Sequence, residues 1–66
     1  MHIRLNGEPH ELPAPESVAA LLARLGLDPR TVAVEVNRAV VKRLRYADTH
    51  ILDGAEVEIV AFVGGG

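Results

Sequence analysis

The chain has no cysteine and no tryptophan, one phenylalanine, one tyrosine, and no apolar run near the length of a membrane span. Without cysteine there is no disulfide framework, no thiolate zinc site and no thiol nucleophile. A bilayer-crossing helix takes ~20 consecutive apolar residues, so no membrane span is expected. Aromatics are nearly absent from the basic stretch of Arg38, Lys42, Arg43 and Arg45, with only Tyr46 beside it. A base-stacking platform is therefore not expected, and a formal net charge of −2 argues further against nucleic acid as a partner. The basic stretch reads first as a solvated face, with docking on an acidic partner surface, or weak docking on RNA, as the functional alternative. His2, His10 and His50 lack the i, i+4 spacing of a helical metal pair, so no metal site is expected. Ser17 has no Ser–His–Asp arrangement around it, and no glycine-rich loop precedes a helix to hold a phosphate.

What is present is enough for one small folded unit. Sixty-six residues and 7.1 kDa, 48% hydrophobic and 24% charged, define a single globular domain over 1–66. A chain of this size buries only about 60% of its unfolded surface, so its core is thin. Met1-His2-Ile3-Arg4-Leu5 alternates in the manner of a strand and not of a signal peptide, and a cytoplasmic protein is expected.

Asn6-Gly7 is a strong hairpin signal, because a type I′ turn needs φ > 0 at both central positions. A two-residue loop there sets Leu5 opposite Glu8, Ile3 opposite His10, Met1 opposite Leu12 and His2 opposite Glu11. Pro9 cannot donate to a ladder, so the returning strand belongs at an edge. Ser17 is placed to cap a helix in which Val18, Leu21, Leu22 and Leu25 form one apolar stripe. Gly26 then supplies the left-handed stop, with Leu27 folding back onto Leu22.

Val32, Val34 and Val36 mark the buried side of the next strand. Asn37-Arg38 turns the chain into Val40-Val41, and Lys42 to Asp48 reads as polar and irregular. Ile51-Leu52 reads as an apolar anchor, and Asp53-Gly54 as a turn before a final strand from Glu56 to Val63. In that strand Val57 and Ile59 point inward, while Val60 and Phe62 fall on the side that Glu56 and Glu58 mark as wet. Being the most apolar, it is expected at the centre of the sheet beside the first strand. The pattern is α+β, a small mixed sheet with one main helix on one face, in the outline of a β-grasp or ubiquitin-like domain.

The final strand runs into Gly64-Gly65-Gly66. Three glycines without Cβ atoms are thin and free in φ, and extended they reach roughly 10 Å, at ~3.3–3.6 Å per residue. Such a run is equally the composition of a disordered terminus. Val60, Phe62 and Val63 are candidates for gripping a partner beside it, with ordinary strand-end core as the alternative.

Taken together, the opening strand with Asn6-Gly7, the helix closed by Gly26-Leu27, and Val34-Glu35-Val36-Asn37 resemble the ThiS family of sulfur carriers. Val40-Val41, Arg43, Tyr46, Leu52-Asp53-Gly54-Ala55-Glu56-Val57-Glu58-Ile59 and Phe62-Val63-Gly64-Gly65-Gly66 extend the likeness over the whole chain. Ala55 departs from it, standing where the family usually has an acidic residue, and Arg38 stands where a smaller turn residue is common.

The resemblance implies a protein co-substrate in thiamin biosynthesis, not an enzyme, with no bound cofactor. A ThiF-like enzyme using MgATP would adenylate the Gly66 carboxylate. A cysteine desulfurase or other persulfide donor would convert it to a thiocarboxylate, and a ThiG-like thiazole synthase would take the sulfur. Gly64 and Gly65 would serve tail recognition. The chemistry agrees: a terminal carboxylate with a pKa of ~3.3–3.7 is an anion at neutral pH and a poor electrophile until activated. Relatives with the same fold but another acceptor, in molybdopterin synthesis or tRNA thiolation, form the nearest alternative. A TGS-like interaction module and a ubiquitin-like modifier are the others.

Overall fold

The computed structural model describes residues 1–62. Its strands and helix follow the order β1 (His2–Leu5), β2 (Glu8–Glu11), β3 (Glu16–Ser17), α1 (Val18–Leu25), β4 (Val32–Val36), β5 (Ala39–Val41), β6 (His50–Ile51) and β7 (Glu56–Ala61). The main sheet has the order β2-β1-β7-β4-β5, and β3 and β6 pair separately.

Both outer strands come from two-residue hairpins. Asn6 and Gly7 have φ of 52° and 81°, and the register pairs Leu5 with Glu8, Ile3 with His10 and His2 with Glu11, as the alternation requires. Leu12 N–H donates to the Met1 carbonyl and the Met1 amino group donates to that of Leu12, which continues the ladder past β2. The β4–β5 hairpin turns on Asn37 and Arg38, with φ of 52° and 69°. Asparagine tolerates this left-handed backbone, whereas arginine has neither its local polar contacts nor glycine's freedom.

Helix α1 begins where Ser17 Oγ accepts the Ala20 N–H at 3.0 Å. It ends at Gly26, φ 73°, where Leu27 N–H donates to Leu22 O and Gly26 N–H to Ala23 O. That pair of bonds satisfies two of the helix's last carbonyls. Val18, Leu21 and Leu22 are buried, and with Ile3, Leu12, Val34, Ile51 and Val57 they form the core between helix and sheet. Gly26→Ala puts a Cβ on a left-handed residue and should cost roughly 1–2 kcal/mol. Urea denaturation should show a lower midpoint with unchanged slope.

After α1, Asp28 caps a short 3₁₀ turn at Pro29–Thr31 by accepting the Arg30 N–H. The Arg30 side chain also donates to its carboxylate, and these bonds lower the Asp28 pKa from 3.8 to about 2. A depressed carboxylate contributes only while ionised, so the turn should hold above pH 3.8 and loosen as the pH falls toward 2. Amide exchange at Thr31, whose N–H donates to Asp28 O, reads that change directly.

Three features depart from the alternation. The stretch after β5 is not irregular throughout: Arg43–Arg45 form a second 3₁₀ turn, and Tyr46 beyond it is buried, its hydroxyl 3.5 Å from Val32 O. Leu52, read as half of an apolar anchor, is exposed, while Ile51 is fully buried. A strand residue and its successor face opposite sides, so only one of the two can enter a single core. Finally, β3 and β6 pair Glu16 with Ile51 and Ser17 with His50, joining the start of α1 to the strand that precedes β7.

Candidate functional site: the open sheet face and the end of β7

Strand β7 lies at the centre of the sheet, parallel to β1 through Arg4–Glu56 and Leu5–Val57. On its other side it is antiparallel to β4, pairing Val36 with Val57, Glu35 with Glu58, Val34 with Ile59, Ala33 with Val60 and Val32 with Ala61. This is the central position expected from its apolar run. The pairing leads to Phe62, whose N–H donates to Thr31 O at 2.8 Å.

Beyond these ladders, the turn residues hold β7 with their side chains. β1 ends at Leu5, which leaves the Ile59 backbone without a strand partner on that side. The Asn6 amide fills the place: its Oδ1 accepts the Ile59 N–H at 2.7 Å and its Nδ2 donates to Ile59 O at 3.2 Å. Asn37 works at the opposite end, accepting the Glu56 N–H on Oδ1 at 2.9 Å and donating its own N–H to Glu56 O. A side-chain amide carries both a donor and an acceptor and can substitute for a peptide group. Sequence reasoning assigned these residues to turns alone, because the reach of Asn6 to Ile59 depends on which strand lies next to β1.

The face of the sheet opposite α1 carries Arg4, Ala33, Glu35, Val40, Glu56, Glu58 and Val60, all exposed. Val60 is 60% exposed and Phe62 59%. Val40 stands across from Glu35 and is 74% exposed, so the apolar end of this face extends over β7, β4 and β5. Its membership was legible in the alternation: with Val41 beside Val34, Val40 must share the side of Glu35. Phe62 and Val40 also border a groove of about 300 Å³ that runs along Pro29, Val32 and Val41, with Arg30 and Arg43 at its rim.

Glu35 and Glu58 face each other directly across β4–β7. Like charges in that position are destabilising. Glu58→Thr should therefore stabilise the fold by about 0.2–1 kcal/mol, seen as a higher midpoint in thermal denaturation. Val63, Gly64, Gly65 and Gly66, the remaining residues singled out by the sequence, lie outside the described residues.

A single helix held against a five-stranded mixed sheet, with first and last strands parallel at its centre, defines a ubiquitin-like β-grasp domain. The crystal structure of a thiamine biosynthesis protein (ThiS) from Geobacter metallireducens superposes with a TM-score of 0.87 at 33% identity, covering 100% of both chains. The model of the ThiS family matches residues 3–66, and the chain belongs to that family. A sulfur carrier protein ThiS of Bacillus subtilis is 38% identical over 50 residues, 76% of each chain. A thiazole synthase of Paramagnetospirillum magneticum is 47% identical over all 66 residues. The chain spans 20% of the length of that relative, and the same share of a thiazole synthase from Magnetococcus marinus.

Proposed function

We propose that this protein is a sulfur carrier of thiamin biosynthesis that acts as a co-substrate and not as a catalyst. The observation that carries the reading is the family match, which covers residues 3–66 and so includes Gly66. The carboxylate oxygen of Gly66 attacks the α-phosphorus of MgATP in the active site of a ThiF-like enzyme, and pyrophosphate leaves. A persulfide from a cysteine desulfurase or related donor displaces AMP, and a thiol cleaves the acyl disulfide to leave a thiocarboxylate.

A thiazole synthase of the ThiG type then takes the sulfur, an acceptor favoured by the likeness to two thiazole synthases. Gly64 and Gly65 allow the carboxylate into a narrow channel, since neither has a side chain to clash. Ordering them costs roughly 1–2 kcal/mol per residue, so the partner must also hold the folded domain. Val60, Phe62 and Val63 supply that hold, and apolar residues grouped on the exposed surface of so small a domain suit a partner.

The test is intact-mass analysis after incubation with the activating enzyme, MgATP and a persulfide donor. The expected product is heavier by the exchange of one oxygen for one sulfur, and fragmentation should place it at Gly66. An unmodified chain in the presence of active enzyme refutes the reading. Phe62→Asp should weaken activation about tenfold or more, as loss of an apolar anchor does, while the fold, read by circular dichroism, stays intact. Full activation of Phe62→Asp would remove it from the interface.

A further inference from the structure

Four of the seven Lys and Arg residues lie within Arg38–Arg45, a stretch that contains no Asp or Glu, although the whole chain is net negative. Arg24 and Arg30 are held by Glu16 and Asp28, whereas among the described residues no ion pair engages Arg38, Lys42, Arg43 or Arg45. In the middle of this basic lobe Leu44 is 87% exposed on the 3₁₀ turn, and Val40, four residues earlier on the edge strand β5, is exposed as well. The groove bordered by Arg43, Val40 and Pro29 opens next to it.

These facts decide among the occupants such a lobe could take. A nucleic acid would want an aromatic platform, and the one aromatic in the segment, Tyr46, is 4% exposed and faces the core. A lone exposed leucine is ordinary on a protein surface, but Leu44 comes with a second exposed apolar side chain, Val40, and with the groove that Val40 and Arg43 line. A protein surface that is acidic around an apolar recess satisfies both the unpaired cations and Leu44. The open sheet face carries three carboxylates, Glu35, Glu56 and Glu58, against one cation, Arg4, so an acidic surface is drawn to the lobe in preference to that face. The charge distribution therefore sets the orientation of approach.

We infer that the Arg38–Arg45 lobe, with Leu44 as its anchor, is a second docking surface, which receives an acidic, apolar-pitted surface of the sulfur-accepting enzyme. This rests on the carrier reading for the identity of the partner. It does not depend on the chemistry at Gly66. Arg43 and Arg45 steer the encounter and Leu44 holds it, so the two parts respond differently to salt. Exposed charge contacts are screened over about 8 Å at physiological ionic strength, whereas apolar burial is not.

The experiment titrates purified thiazole synthase of the same organism with the wild-type chain, with Arg43→Glu/Arg45→Glu and with Leu44→Ser, at low and at high salt. Pyrophosphate exchange with the activating enzyme is measured on each variant alongside. The charge-reversed variant should bind about tenfold or more weakly at low salt and lose most of its salt dependence. Leu44→Ser should weaken binding by a similar factor at both salt concentrations, and both variants should keep wild-type pyrophosphate exchange. Synthase affinity within twofold of wild type in both variants overturns the second surface and leaves the carrier reading standing. A variant that loses pyrophosphate exchange together with synthase binding also overturns it, since the lobe would then serve the activating enzyme or the fold. Failure of the wild-type chain to bind the synthase, with activation intact, refutes the acceptor and this surface together. Loss of binding to total tRNA in the charge-reversed variant, with synthase affinity retained, overturns it in favour of nucleic acid.

Discussion

Capping Gly66 as a carboxamide should abolish ATP-dependent activation while leaving the melting temperature unchanged. The amide lacks the anionic oxygen that must attack the α-phosphorus, and its nitrogen lone pair is delocalised into the carbonyl, so no acyl-AMP can form. The fold should not respond, because among the described residues the bonds that fix β7 lie upstream: Asn6 to Ile59, Asn37 to Glu56, and Phe62 to Thr31. Semisynthesis gives the amide, and pyrophosphate exchange measures the loss, which should reach the assay's background. Deleting Gly66 instead leaves a carboxyl of the same chemistry on Gly65 but withdraws it by ~3.3–3.6 Å. That shift is large against the roughly 1 Å misplacement that can cost a hundredfold in rate, so this variant should also fail. A TGS-like binding module would be indifferent to both changes, and undiminished partner binding and activity in the amide would favour that reading.

The second large effect concerns the neighbours Ile51 and Leu52, which the sequence presents as equivalent. Ile51 is fully buried and Leu52 exposed. Ile51→Ala removes three heavy atoms from a packed interior and should cost about 2–5 kcal/mol. For a domain whose whole stability is of the order of 3–10 kcal/mol at typical values per residue, that is a large share. The melting temperature should fall by roughly 10–30 °C. Leu52→Ala should stay within about 0.5 kcal/mol of wild type. Thermal denaturation of the two variants side by side checks the contrast; equal losses would place Leu52 in the core.

Ile51 matters beyond its own volume. Its strand, β6, pairs with β3, which runs directly into α1, and Val18 N–H donates to Thr49 O. A cavity there loosens the helix start and the segment leading to β7 together. Loss at this site therefore propagates to the carrier strand, and activation should decline in parallel with the folded fraction.

Much of this architecture follows from local rules. Asn6-Gly7 and the alternation around it set the first hairpin residue by residue, because a two-residue turn leaves only one register that keeps Ile3 and Leu5 inward. Ser17, the apolar stripe and Gly26 delimit the helix by satisfying its free N–H and C=O groups locally. The apolar run of the last strand indicates a central place, since a strand covered on both sides need not alternate. The lack of cysteine, and the glycines that follow Val63, restrict the proposed chemistry to the backbone carboxyl. Family membership was likewise legible in the residues.

Tertiary structure decided what depends on distant partners. Asn6 serves as a clamp on Ile59 only because β7 comes to lie beside a first strand that ends opposite Val57, two residues short of it. The burial of Tyr46 and Ile51, against the exposure of Leu44 and Leu52, follows from how a 3₁₀ turn and a two-residue strand happen to face the helix, and neither element has a period long enough to read. The separation of an acidic sheet face from a basic, leucine-centred edge also appears only in three dimensions, since Glu35 and Arg38 are near neighbours along the chain. Local propensity acts over a few residues, whereas charge and apolar surface combine wherever folding brings them together.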